Sequence, residues 1–244
     1  MLPDHGVSGL ELSWQLGETN DVDGEPALIR SCSGGLVSDV RFEIEDLHDS
    51  DRSRSFAFGC GAGFRTADAL LLTLGEIYLE LQPGTYRIQS EAVDDPAKRG
   101  AAGEAEIVAS ADDEFEIVSG GPTLAHYVYA PAVVDLRLEL TGLERCDTTQ
   151  LRLEYADPDA DLVQYSTTTD VTAYRTALTS DLGLTLDGRT HACESLAGTH
   201  TFPELDRGIY SLTLTLDGAR ECSAQVVHDG RHGLHTLDLA ELGC

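Results

Sequence analysis

Leu81-Gln82-Pro83-Gly84-Thr85-Tyr86-Arg87-Ile88 and Leu205-Asp206-Arg207-Gly208-Ile209-Tyr210-Ser211-Leu212 are two versions of one sentence. Each runs from a leucine through a turn and a glycine to a tyrosine that opens an alternating strand. The correspondence extends upstream. Leu10-Glu11-Leu12-Ser13-Trp14 alternates apolar with polar residues, as does Val134-Asp135-Leu136-Arg137-Leu138-Glu139-Leu140. A cysteine follows each, Cys32 or Cys146, and then a second alternating strand. That strand is Val40-Arg41-Phe42-Glu43-Ile44-Glu45 in one half and Leu151-Arg152-Leu153-Glu154-Tyr155 in the other. A further cysteine, Cys60 or Cys193, precedes the glycine-tyrosine segment. The same features in the same order make the chain a tandem duplication, with its boundary between Ser119 and Ala132.

Period-two alternation turns one face of a strand to a core and the other to water. Val40, Phe42 and Ile44 should therefore point inward, and Arg41, Glu43 and Glu45 outward. Short strands separated by Gly, Pro and Asp indicate antiparallel sheets, since buried parallel strands read as continuous apolar runs. Helical periodicity is nearly absent. Ala67 to Leu81 is open to a helical turn or a buried strand, and is read as strand. Trp14 sits on an alternating strand and reads as core, not as a platform for sugar. The fold expected is all-β, two tandem antiparallel sandwiches at residues 1–128 and 129–244.

The Leu-x-Pro-Gly-x-Tyr-x-Ile segment at Leu81–Ile88 resembles a signature of transthyretin-like and carboxypeptidase-regulatory-like domains, and of the B-type, Ig-like repeats of bacterial collagen adhesins. The resemblance implies sandwich domains of bacterial surface or secreted proteins more than any activity. In this reading Pro83 presets φ, Gly84 takes the positive φ of a type II turn, and Tyr86 begins the next strand. The second copy keeps Gly208 and Tyr210 but has Arg207 in place of the proline. Collagen-adhesin domains often carry a Lys–Asn crosslink. Here the only lysine, Lys98, lies in a stretch that reads as a loop, and the crosslink is not carried over.

The chain has 244 residues, 41% hydrophobic, with 16 basic against 43 acidic side chains and a net charge of −27. Such a charge repels phosphate backbones and anionic lipid surfaces, which argues against nucleic-acid partners. No run approaches the roughly 20 apolar residues of a membrane helix, so no membrane span is expected. Arginine used at lysine's expense fits a GC-rich bacterial or salt-adapted genome.

Cys32, Cys60, Cys146, Cys193, Cys222 and Cys244 form an even set without a C-x-x-C pair, which reads as disulfides rather than a zinc or redox motif. The alternative is buried free thiols. Aligning the repeats pairs Cys32 with Cys60 and Cys146 with Cys193. Cys222 and Cys244 then remain as the third expected bridge, on the last two strands, which are expected to flank a hairpin and so lie adjacent. Disulfides imply an oxidising compartment, hence an extracellular or cell-envelope location. The opening Met1–Gly6 carries no signal-peptide pattern, so the mature part of a longer product is the expected reading.

Two constellations suggest metal chemistry. Asp157, Asp159 and Asp161 repeat a carboxylate at every second position, where an extended loop would aim all three at a hard cation such as calcium. Asn20–Glu25 looks similar, and a solvated acidic loop is the alternative for both. His228, His232 and His235 flank an Asp-Gly turn and read as a hairpin tip, with His228 and His235 facing each other across the ladder. Imidazoles so placed suit zinc, copper or nickel, and solvated histidines are the alternative. No cofactor motif appears, and G-x-S-x-G, H-E-x-x-H and phosphate-cradling glycine loops are absent. Gly59–Gly63 is glycine-rich but has no helix start after it. The function expected is a non-catalytic binding, adhesion or structural module with a protein or glycan partner at the cell surface. The alternatives are a ligand- or calcium-binding accessory pair, carbohydrate included, and an enzyme on a sandwich scaffold.

Overall fold

The structure, a computed structural model, describes residues 8–17, 29–62, 75–130, 132–142, 146–159, 174–176, 178–231 and 233–242. They form two compact units, one built from the strands up to Tyr129 and one from the strands beginning at Val133. No helix among the described residues is long and apolar enough to cross a membrane.

In the first unit, β1 (Gly9–Gly17) pairs antiparallel with β2 (Ile29–Arg30) and β5 (Gly75–Glu80), and parallel with β8 (Pro122–Tyr129). The facing sheet has the order β4 (Arg54–Gly59), β3 (Asp39–Asp46), β6 (Gly84–Asp94), β7 (Glu106–Ile117). In the second unit, β9 (Val133–Thr141) pairs antiparallel with β13 (Thr199–Asp206) and parallel with β16 (His235–Asp238). Its other sheet joins β10 (Thr148–Tyr155) to β11 (Tyr174–Thr176), β12 (Asp187–Ala192) and β14 (Gly208–Leu216), with β15 (Arg220–His228) beyond β14. Every pairing of the first unit except β1–β2 has a counterpart in the second. β1 corresponds to β9, β3 to β10, β4 to β12, β5 to β13, and β6, β7 and β8 to β14, β15 and β16. The chain is all-β, with two sheets to each unit.

Alternation explains the packing. Along β3, Val40, Phe42 and Ile44 are buried while Arg41, Glu43 and Glu45 are exposed. Their inward side chains meet Leu10, Leu12, Trp14 and Leu16 of β1 in one apolar core. Trp14 and Phe42 have ring centroids 5.6 Å apart, and the Trp14 indole donates to the carbonyl of Cys60 at 2.7 Å. Burial of each large apolar side chain contributes about 1.5–3 kcal/mol, so this cluster outweighs any single polar contact in the unit. Gly75 stands opposite Trp14 in the β1–β5 ladder, and a Cβ there would lie 2.0 Å from the indole. Only glycine admits the ring. Strand β5 also fulfils the strand reading over Gly75–Glu80, while residues 67–74 lie outside the described residues.

Two local expectations are corrected. Gly84 and Gly208 do not take positive φ, so neither sits in a type II turn. Strands β5 and β6 belong to different sheets, as do β13 and β14, so each segment crosses between sheets and its glycine is already the first residue of an extended strand. The tyrosine ties the crossing down instead. The Tyr86 hydroxyl donates to the Gln82 carbonyl at 2.9 Å, and that of Tyr210 to the Asp206 carbonyl at 2.7 Å. Positive φ falls on Glu204, at 56°, within the irregular stretch of β13 between Phe202 and Leu205. The second correction concerns β15 and β16, which form no hairpin. β15 pairs with β14 and β16 with β9, so the Asp229-Gly230 turn carries the chain from one sheet to the other. The alternation of these strands records which face is buried but not which neighbour each strand takes.

Candidate functional site

The cysteines close the units locally. Cys32 is bonded to Cys60 and Cys146 to Cys193, with Cα atoms 5.8 and 6.0 Å apart, in the pairs the repeat alignment places together. Cys60 directly follows β4 and Cys193 directly follows β12, so the bridges occupy equivalent places. Cys222 is disulfide-bonded, and Cys244 lies outside the described residues.

Of the acidic trio, Asp157 and Asp159 are half-buried in the chain just after β10, and Asp161 lies outside the described residues, as does Asn20–Glu25. No group of three or more His, Cys, Asp or Glu side chains is arranged to hold a metal among the described residues. His232 also lies outside them. His228 is buried rather than solvated, at 1% exposure, with Nε2 3.2 Å from the carbonyl oxygen of Val134 on β9. Its ring meets Tyr210 edge-on at 6.5 Å and lies 6.3 Å from that of His235. Burial holds its pKa below the ordinary 6.5, opposed by hydrogen bonds to the Val134 and Leu205 backbone. It latches the two sheets of the second unit together.

The stretch around Lys98, expected as a loop, forms a short 3-10 turn, Pro96–Arg99, in which Lys98 pairs with the Asp39 carboxylate. Arg99 binds the fully buried Asp94 through both carboxylate oxygens, at 2.7 and 2.9 Å. These pairs pin the end of β6 and leave no open donor set.

An open site lies at the other end of the first unit, where the Tyr86 crossing meets the start of β4. A recess of about 490 Å³ is lined there by Arg52, Arg54, Phe56, Glu80, Gln82 and Tyr86, among others. The end of β3 and the turn after it hold Arg52 in that lining. Asp46, buried at 3% exposure, accepts from the backbone N–H groups of His48 and Asp49 at 2.9 and 3.1 Å. The His48 N–H, with the Arg52 charge and the Asp49 N–H, holds the Asp46 carboxyl below the usual range against the opposing effect of burial. Burial, then the Asp46 charge, pushes the Tyr86 hydroxyl up. Asp49 caps the 3-10 turn Ser50–Arg52, accepting from the Asp51 N–H, and this turn delivers Arg52. Arg52 Nε lies 3.1 Å from one oxygen of Asp46 and of Asp49, and its Nη1 donates to Gln82 Oε1 at 3.2 Å. Arg54, the first residue of β4, donates from Nη1 to the carbonyls of Asp51 and Ser53 at 3.1 and 2.9 Å.

The sequence reading named none of these residues as a site. Arg52 and Arg54 stand out only as two cations directly after the acidic stretch Asp49–Asp51, and Gln82 reaches them only through the sheet crossing. A second, smaller groove of about 330 Å³ lies along β3, β4 and β6, beside Arg41, Glu43, Gln89 and Glu91.

Chemically the recess offers fixed hydrogen-bond donors and an acceptor, with no nucleophile held against a base. The contact of Ser180 with His200, 3.2 Å, is buried inside the second unit where substrate does not reach. Ser13 meets His126 at 2.9 Å between adjacent strands β1 and β8.

No known family profile matches the chain, and no curated protein matches it. Solved structures are similar in outline. The Bacillus anthracis TIE protein gives a TM-score of 0.41 at 11% identity, over 96% of this chain and 34% of that one. This chain thus spans about a third of it. The fimbrial anchor protein Mfa2 from Porphyromonas gingivalis gives 0.31 at 11% identity, covering 89% of this chain and 81% of that one. GBS52, the minor pilin of Streptococcus agalactiae, gives 0.24 at 14% identity, covering 94% of each chain.

Proposed function

We propose that this is a non-catalytic secreted or cell-envelope protein that acts as a binding, adhesion or structural module. One observation carries the reading: two sandwich units of the same strand order follow one another, each closed by a bridge in the same place. Disulfides persist where the surroundings are oxidising, outside the cytosol. A bridge between a loop and the end of an edge-side strand resists opening without any ligand, which suits a protein exposed to proteases and shear. The charged outward face of β3, an interior strand of its sheet, keeps that face solvated. A ligand-binding accessory pair is the second reading, and the recess beside Arg54 is what favours it.

The test is chemical and cellular together. Cells are fractionated under acid quench and the protein is alkylated without reduction. The expected result is protein in the envelope or medium with every cysteine protected. Protein in the cytosolic fraction with alkylated cysteines would overturn the proposal.

A further inference from the structure

We propose that the recess beside Tyr86 in the first unit binds a carboxylated sugar of the uronic-acid type, with Arg54 holding the carboxylate. The inference rests on the reading of the protein as a surface binding module and names a ligand class for it.

The argument starts from charge. Basic side chains number 16 against 43 acidic ones, yet two arginines line one recess. Their situations differ. Arg52 is consumed by structure, paired with Asp46 and Asp49. Arg54 pairs with no carboxylate among the described residues. Its Nη1 is fixed by the carbonyls of Asp51 and Ser53, which leaves the Nε–Nη2 edge of the guanidinium open. That edge is the fork that grips a carboxylate through two parallel hydrogen bonds. Because Nη1 is already tied, little side-chain freedom is lost when the carboxylate arrives.

The remaining walls specify what the carboxylate is attached to. Gln82 Oε1 accepts from Arg52, which turns the Gln82 amide NH2 away as a donor with no partner among the described residues. Glu80 supplies the opposite chemistry, an exposed carboxylate without an ion pair among the described residues, able to accept from hydroxyls. Phe56 and Pro83 add apolar surface for the C–H face of a ring. One bidentate cation, one amide donor and one carboxylate acceptor match a molecule with a single carboxylate and several hydroxyls. A multiply charged oxyanion would face Glu80 without compensation, and a neutral sugar would leave the Arg54 fork unused. The volume, about 490 Å³, falls within the range of about 300–1,000 Å³ typical of small-molecule sites.

The second unit supplies an internal comparison. Arg54 opens the six-residue strand that ends before Cys60, and Asp187 opens the six-residue strand that ends before Cys193. The carbonyl that receives the tyrosine hydroxyl belongs to Gln82 in one copy and to Asp206 in the other. Arg54 and Gln82 are thus replaced by two acids, and Asp187 is already paired with Arg189. Among the described residues, the duplicated scaffold therefore carries this pair of recess donors in the first copy and not in the second.

The experiment is a titration of the full chain, followed by amide chemical shifts, with sodium glucuronate, glucose and sodium sulfate at matched ionic strength. Glucuronate should saturate shifts confined to residues 52–56 and 80–86. Glucose and sulfate should each bind at least about tenfold more weakly, the loss of a charge-assisted pair or the gain of repulsion. Arg54→Gln should weaken glucuronate by at least about tenfold, and Arg54→Lys should recover little of it, since an ammonium lacks the fork. Asp187→Asn should change nothing, and unchanged shifts elsewhere in each variant show that it is folded. Glucuronate binding undiminished by Arg54→Gln, equal binding of glucose or sulfate, or no saturable shift in the recess would each overturn the site. Any of those outcomes leaves the surface-module reading standing, because that reading is decided by the location and thiol state of the protein.

Discussion

Removing the Cys32–Cys60 bridge should destabilise the first unit by an amount the chain itself sets. The bridge closes 28 residues, for which the loop-entropy relation gives about 3.6 kcal/mol at 25 °C. The perturbation is Cys32→Ala with Cys60→Ala, so that no new polar group is buried at Cys60, which is 2% exposed. The readout is built in. Trp14 is the sole tryptophan, it lies in the core of this unit, and its indole donates to the Cys60 carbonyl. Urea unfolding followed by tryptophan fluorescence thus reports the unit that loses the bridge. With an m value of about 1–3 kcal/mol/M, the midpoint should fall by roughly 1–4 M. The Cys146–Cys193 bridge closes 47 residues, worth about 4.0 kcal/mol by the same relation. Its removal should move the circular-dichroism transition of the second unit while the Trp14 transition stays within a few tenths of a molar. A Trp14 midpoint unmoved by the first double variant would refute the reasoning. So would a midpoint shifted equally by both, since each bridge would then act on the whole chain rather than on its own unit.

Tyr86→Phe and Tyr210→Phe each delete a hydroxyl bonded to the carbonyl four residues back, and each should cost about 0.5–1.5 kcal/mol in urea unfolding. No loss in either variant would mean that the crossings are held by packing alone. For His228 the folded value lies below 6.5 because burial disfavours the charged ring. Stability is therefore full above the unfolded value and declines as pH falls through it, because the unfolded chain takes a proton that the fold refuses. His228→Gln should reduce the fall in stability as pH drops below about 6.5, leaving the fall contributed by His126, whose value burial also lowers; a wild-type profile flat over that interval would contradict it. If Asp157, Asp159 and Asp161 converge on one ion, millimolar calcium should raise the melting temperature beyond what magnesium does, by the equivalent of about 2.7 kcal/mol at a hundredfold excess over Kd. Asp159→Asn should remove the difference and Asp21→Asn should not, whereas equal shifts from both cations would reduce the trio to a solvated loop.

The strands were legible because burial acts residue by residue. Val40, Phe42 and Ile44 alternate with Arg41, Glu43 and Glu45, and no tertiary information is needed to say which set turns inward. The duplication was legible for the same reason, since each copy must solve the same burial problem with the same strand order. What alternation leaves open is the neighbour. Strands β15 and β16 alternate as well as any hairpin would, yet they lie in different sheets, because β16 finds its partner in β9, nearly a hundred residues upstream. The glycine-tyrosine segment shows the same limit at a smaller scale. Pro-Gly is compatible with a hairpin turn and with a crossing, and the choice is made by where β5 already lies when β6 begins.

The recess was illegible for a more specific reason. Its donors are ordinary surface residues until the fold closes. Arg52 ends the turn before β4 and Arg54 opens β4, while Glu80 ends β5, a strand of the opposite sheet, and Gln82 lies in the crossing that follows it. The conjunction arises because the same tyrosine that anchors the crossing, Tyr86, brings the Gln82 backbone against the end of β3 and thereby its side chain against Arg52. A structural device present in both copies thus fixes where a site can form, and the side chains around it differ between copies. In the second copy Tyr155 stands opposite Tyr210 where the first has Asp46 opposite Tyr86, and the two rings pack edge to face at 5.7 Å. An apolar contact fills the corner there, whereas the first copy's buried carboxylate recruits Arg52, which in turn orients Gln82. The divergence that matters to binding is therefore one step removed from the ligand. Asp46 touches no part of the open recess edge, yet Asp46→Tyr should disorder Arg52 and Gln82 together and leave Arg54 without its neighbouring donor.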